Sequence, residues 1–161
     1  MKLNHKLMEN NITNLDLICV KKLLNKKNII LTQSHQVEKF ENNWSRWLNV
    51  KYSTFVNSGS SANFISIAIL KHLNKNKKKN EIIIAPLTWV SDINSIIMNG
   101  FKPVFVDINL SNLSMNINQV IKKISKKTLA VFITHAQGFN GLNDKLLKVL
   151  KKKKIHLIED V

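Results

Sequence analysis

Residues 81–108 read EIIIAPLTWVSDINSIIMNGFKPVFVDI. Glu81–Ala85 is a short apolar run rich in β-branched residues, which predicts a buried strand. A loop, Pro86-Leu87-Thr88-Trp89, separates it from Ser91–Met98, whose pattern predicts a helix. Pro103–Ile108 is a second apolar run and a second predicted strand. Two nearly all-apolar strands joined by one helix imply parallel neighbours covered on both faces, with a right-handed crossover.

The alternation continues outward from this unit. Tyr52–Asn57 reads as a strand and Ser60–Leu73 as a helix before it. After it come a helix over Ile117–Ile124, a strand over Leu129–Thr134, a helix over Asn143–Leu150 and a strand over Ile155–Glu159. The expected fold over residues 51–161 is therefore α/β, a mostly parallel sheet flanked by helices. Residues 1–50 read instead as an N-terminal helical arm. Leu15, Ile18, Val20, Leu23 and Leu24 are spaced roughly for one helix face. Val37, Phe40, Trp44, Trp47 and Leu48 form a clearer amphipathic stripe, and core packing is the expected fate of these tryptophans. The sequence shows no internal repeat and no low-complexity linker. The last strand runs into Val161, and a domain rarely stops on a buried strand edge, so the expectation is a truncated domain.

Composition narrows the function classes. A hydrophobic fraction of 44% argues against disorder. No apolar run approaches the roughly 18 residues that a membrane helix needs, and the start has no apolar segment of a signal peptide. Cys19 is the only cysteine, so no disulfide framework is expected and a cytoplasmic setting is. The formal charge of +15 invites a nucleic-acid reading. Arg46 is the only arginine, however, while Lys, Asn and Ile abound throughout. This pattern suggests AT-rich coding rather than selection for phosphate and base contacts, where arginine is favoured. The lysine runs at 75–79 and 151–154 fall between predicted elements and read as solvated helix ends.

Ligands of open parallel sheets bind beyond the carboxyl ends of the strands. Asn57-Ser58-Gly59-Ser60-Ser61-Ala62 follows the first predicted strand and leads into a helix N-terminus. Its backbone N–H groups, the Ser60 and Ser61 hydroxyls and the freedom of Gly59 suit a phosphate; a plain serine N-cap fits the same residues. It is neither a GxGxxG nor a P-loop. Trp89 follows the second strand, as packing or as a platform for a flat ligand. His135 follows the fourth, as a structural hydrogen bonder or as a group beside a ligand. Asp160 ends the fifth, where a buried carboxylate needs a partner: a salt bridge, a helix end or a protonated ring nitrogen. No His or Cys spacing suggests a metal site.

Taken in order, these segments resemble the DegT/DnrJ/EryC1/StrS aminotransferase family along nearly the whole chain. Leu31-Thr32-Gln33 with Val37–Glu41 is similar to the family's N-terminal segment, and Val56–Asn63 to its phosphate loop. Pro86–Val90 is similar to the loop with the stacking aromatic, and Ile158-Glu159-Asp160-Val161 to the segment with the ring-nitrogen aspartate. Gly100–Ile108 is the most family-like stretch. The resemblance implies the first part of the large domain of a pyridoxal-phosphate (PLP) enzyme of fold type I, like aspartate aminotransferase, with residues 51–161 in that domain. It implies PLP as cofactor, with Gly59, Ser60 and Ser61 at its phosphate, Trp89 on its ring, Asp160 at its ring nitrogen and His135 nearby. It further implies a homodimer, nucleotide-linked keto-sugar substrates, glutamate as amino donor, and products for polysaccharides or glycoconjugates. The lysine that forms the Schiff base lies beyond Val161 in the family, so no catalytic residue is expected in this chain and none of its lysines is assigned. The Thr134–Asn140 segment departs from the common family form and, with Asn57–Asn63, leans toward the branch containing sugar 3-dehydratases. Two alternatives stand beside the aminotransferase reading: such a dehydratase, and a truncated binding protein without chemistry.

Overall fold

A computed structural model describes residues 10–161, which form two compact units, 10–55 and 56–161. The first nine residues of the expected arm lie outside the described residues.

The first unit is built from two helices. α1 (Asn14–Leu24) starts at a capping box, in which Thr13 and Asp16 exchange hydrogen bonds. The Thr13 hydroxyl, and then the Thr13 N–H, both donating to Asp16 Oδ2 at 2.7 Å, hold the Asp16 carboxyl below its usual range. α2 (His35–Leu48) is capped by Ser34 and ends at Asn49 in the left-handed conformation. Phe40 stacks on Trp44 at 5.8 Å, Trp44 meets Trp47 at 4.9 Å, and Phe55 meets Phe40 edge-on at 5.2 Å. The expectation that these tryptophans pack in a core is corrected here. Trp47 is 73% exposed and neither helix buries a residue, because so small a unit cannot enclose a core of its own.

The predicted strand Tyr52–Asn57 is also corrected, since this segment belongs to no strand. Extended backbone needs a ladder partner. Here the Phe55 N–H donates to Glu41 Oε1 at 2.8 Å, and Ser53 pairs with Ser45 at 2.9 Å.

The second unit opens with α3 (Gly59–Leu73), followed by β1 (Glu81–Ile84), α4 (Val90–Met98) and β2 (Lys102–Phe105). α5 (Ile117–Lys123), β3 (Thr128–Thr134), α6 (Asp144–Lys153) and β4 (His156–Asp160) complete it. The four strands pair in parallel, in the order β2-β1-β3-β4. Pro103 lies in the edge strand β2, where a missing N–H is tolerated. Strand residues alternate between two cores, as the two-residue period requires. Ile82, Ile84, Ala130 and Phe132 pack with Ile67 and Leu70 of α3 and Ile96 of α4. Ile83, Val131 and Ile133 pack on the other face with Val120 of α5 and Leu146 and Leu150 of α6. The expected α/β architecture is thus present, with helices on both faces.

The strand order places the site. The chain leaves β1 toward β2, then returns across β1 to lay β3 on its other side. The crossovers therefore reverse direction between β1 and β3. At such a switch the two loops diverge and leave a crevice beyond the strand ends.

Candidate active site

Thr88 and Trp89 follow β1, and Thr134 and His135 lie at the end of β3, so the switch brings these four residues together. They line a cavity of about 390 Å³ with Leu87, Gln137 and, from the end of β4, Asp160. Of the residues singled out in the sequence, Trp89, His135 and Asp160 thus share one cavity. Gly59, Ser60 and Ser61 are outside its lining, at the start of α3. Asp107, shortly after β2, is exposed and outside this lining, its N–H donating to Gln119 Oε1 at 2.9 Å.

The start of α3 is capped from within. Ser58 Oγ accepts from the Ser61 N–H at 3.2 Å and donates to Ser61 Oγ. The amides of Gly59 and Ser60 belong to the first turn and have no helical acceptor. The Ser61 hydroxyl hydrogen stays available, because Ser61 Oγ is the acceptor in its bond with Ser58. Gly59 does not serve the turn as expected, since it is not among the glycines with positive φ. A Cβ added there meets nothing within 4 Å. Glycine instead leaves the approach to the helix end bare.

Trp89 is the N-cap residue of α4 and makes no capping bond with its side chain. It is 68% exposed, so core packing is not its role. Serine, aspartate or asparagine would serve that position better as a cap. The exposed ring at the cavity is what the position provides.

His135 uses both ring nitrogens. Nδ1 accepts from the Gly141 N–H at 3.2 Å, which leaves the hydrogen on Nε2 to donate to Glu159 Oε2 at 3.0 Å. Gly141 is required there, because a Cβ would lie 1.9 Å from Ser114 Oγ. The imidazole is a fixed wall of the cavity.

Behind the cavity lies a polar cluster that the sequence reading missed. Asp92 of α4 is fully buried. Its Oδ1 accepts from Asn63 Nδ2 of α3 at 2.7 Å, and its Oδ2 accepts from the hydroxyls of Thr88 and Thr134, the latter at 2.8 Å. Asn63 Nδ2 also reaches Asp160 Oδ2 at 3.5 Å. One asparagine thus bridges two carboxyl groups. Burial, and then the charge of Asp92, push the Asp160 carboxyl above its usual range; Asn63 and His135 act in the opposite sense. A signal for the cluster existed. Asp92, Ser95, Ile96 and Asn99 recur at helix spacing and are all buried, as are Asn63, Ile67 and Leu70 in α3. An acid in a first helical turn, however, is also what the helix dipole favours at a surface.

The model of the DegT/DnrJ/EryC1/StrS aminotransferase family matches residues 11–161. The chain belongs to this family. Among curated members of the DegT/DnrJ/EryC1/StrS family, GDP-perosamine synthase of Escherichia coli O157:H7 is 27% identical over 131 residues, covering 81% of this chain and 35% of that protein. GDP-4-keto-6-deoxy-D-mannose 3-dehydratase of Yersinia pseudotuberculosis is 29% identical over 133 residues, covering 81% of this chain and 34% of the relative. The chain therefore spans about a third of the length of these relatives. A crystal structure of GDP-4-keto-6-deoxymannose-3-dehydratase with a trapped PLP-glutamate geminal diamine superposes with a TM-score of 0.88 at 26% identity, over 98% of this chain and 41% of that one. The fold is that of these fold-type-I PLP enzymes, and relatives in the DegT/DnrJ/EryC1/StrS family include both sugar aminotransferases and sugar 3-dehydratases.

Proposed function

We propose that residues 56–161 form the cofactor-binding part of a PLP enzyme that acts on nucleotide-linked keto-sugars in polysaccharide or glycoconjugate biosynthesis. The observation that carries this reading is Asp160. Its carboxyl has only one weak donor, Asn63, among the described residues, and it lines the cavity beside the exposed Trp89 ring. A carboxylate with spare acceptor capacity beside a flat apolar surface suits a protonated heteroaromatic ring.

The donor set fits PLP at both ends. The Gly59 and Ser60 amides and the Ser60 and Ser61 hydroxyls would donate to the phosphate at the positive end of α3. Asn63 lies one helical turn further along α3 and touches Asp160, so the anion site and the carboxylate are close together. Trp89 would cover one face of the ring, and His135 would wall the cavity. Asp160 would hold the proton on the ring nitrogen. When bound, the cofactor supplies an electron sink for a substrate carbanion. On the same reading the working enzyme is a cytoplasmic homodimer, with glutamate as donor where the reaction is a transamination. A relative named as a transaminase covers 76% of this chain and one named as a 3-dehydratase covers 81%, which supports a role for these parts in either reaction.

Equilibrium dialysis of the purified protein with pyridoxamine 5′-phosphate tests the reading, because this form needs no covalent anchor. The expected result is saturable binding that Asp160→Asn weakens by about 10- to 100-fold, the worth of a charge-assisted hydrogen bond. Absence of binding, or binding indifferent to Asp160→Asn, sinks it.

A further inference from the structure

Asp92 is an expensive residue for its place. It is fully buried, and its partners Asn63, Ser91, Thr88 and Thr134 are all neutral. No salt bridge to it is formed among the described residues. A buried carboxyl without a cation costs several kcal/mol unless something repays it. A neutral side chain could accept from the two threonines at lower cost. What distinguishes a carboxyl is its charge, and the one group it faces across Asn63 is Asp160. Asp92 acts on Asp160 by its charge and also directly, carboxyl to carboxyl, beside the Asn63 bridge, and two acids this close oppose each other's ionisation. The arrangement is relieved when a cation arrives at the open side of Asp160, which is the cavity.

We propose that Asp92 is a positioning residue: through Asn63 it fixes the Asp160 carboxyl, and as a second carboxyl behind it makes this end of the cavity select a cationic ring nitrogen over a neutral ring. This deepens the PLP reading and rests on it. The groups that face Asp160 are Asp92 from α4, the Asn63 amide from α3 and His135 from the turn after β3. Each acts on it in a stated direction. Asp92 raises its proton affinity, Asn63 lowers it through its hydrogen bond, and His135 lowers it when the imidazole carries a charge. The two links of the bridge thus have opposite signs, which general loosening of the fold would not produce.

The decisive measurement follows the Asp160 carboxyl by ¹³C NMR through a pH titration. Asp92→Asn is expected to bring its midpoint down, and Asn63→Ala to move it further up. If Asp92→Asn does not fold, Asp92→Ser takes its place in the titration. A midpoint that moves in neither variant, or in the same direction in both, overturns the proposal. The second arm compares two ligands, pyridoxamine 5′-phosphate and its benzene-ring analogue. Asp92→Asn should weaken the first by about fivefold and leave the second unchanged. Equal weakening of both would show a merely structural role and overturn the selectivity. If the unsubstituted protein binds neither ligand, the PLP reading fails and the selectivity with it, while the titration still decides the link from Asp92 to Asp160.

Discussion

Burial and the nearby Asp92 charge raise the Asp160 carboxyl above the usual value of 3.8, so the folded chain binds that proton more tightly than the unfolded chain does. The contribution to stability is fully present below 3.8 and is lost as pH rises through the raised folded value. Asp160→Asn removes this loss. Urea midpoints of the two proteins, measured from low pH upward, should therefore diverge in favour of Asn; parallel pH profiles would show that Asp160 is not the group responsible. At this scale the sequence exposed Trp89, His135 and Asp160, because each is conspicuous at the end of an apolar run. Asn63, Thr88, Asp92 and Thr134 were not legible. Apart from the Thr88–Asp92 pair, four residues apart, their meaning lies in contacts between residues 29 to 97 positions apart, and helix spacing marks a buried face without saying which polar groups meet there.

Among the elements, α3 depends on its cap for both stability and anion binding. Ser58 satisfies the Ser61 amide and leaves the Gly59 and Ser60 amides free. Ser58→Ala should cost about 1 kcal/mol, read as a lowered urea midpoint by circular dichroism. An unchanged midpoint would mean that solvent replaces the cap fully. β1, β3 and the four helices of the second unit were legible from apolar runs and helix spacing. Tyr52–Asn57 was not, because its composition suits a strand while no neighbour among the described residues offers a ladder. The aromatic stripe of α2 was legible as a stripe, but its burial was not. Periodicity reports which residues share a face and says nothing about what covers it.

For the molecule as a whole, the sheet is held by the two cores that α3 with α4 and α5 with α6 build against it. Phe132 at the centre of β3 is among the largest fully buried side chains. Phe132→Ala should destabilise the protein by about 3–5 kcal/mol, the range for an aromatic deleted from a core. A loss under about 1 kcal/mol in chemical denaturation would mean that the sheet face is not closely packed. The sequence by itself determined that residues 59–161 alternate helix and strand, that the strands are covered on both faces, and that small and polar residues follow them. Those properties are carried by composition and period within a few residues of chain. Only the tertiary structure decided the strand order β2-β1-β3-β4, and with it the crevice between β1 and β3 where Trp89, His135 and Asp160 meet. It also decided that Asp92 is buried behind them, because burial depends on which helix packs where, and packing is settled by the whole chain at once.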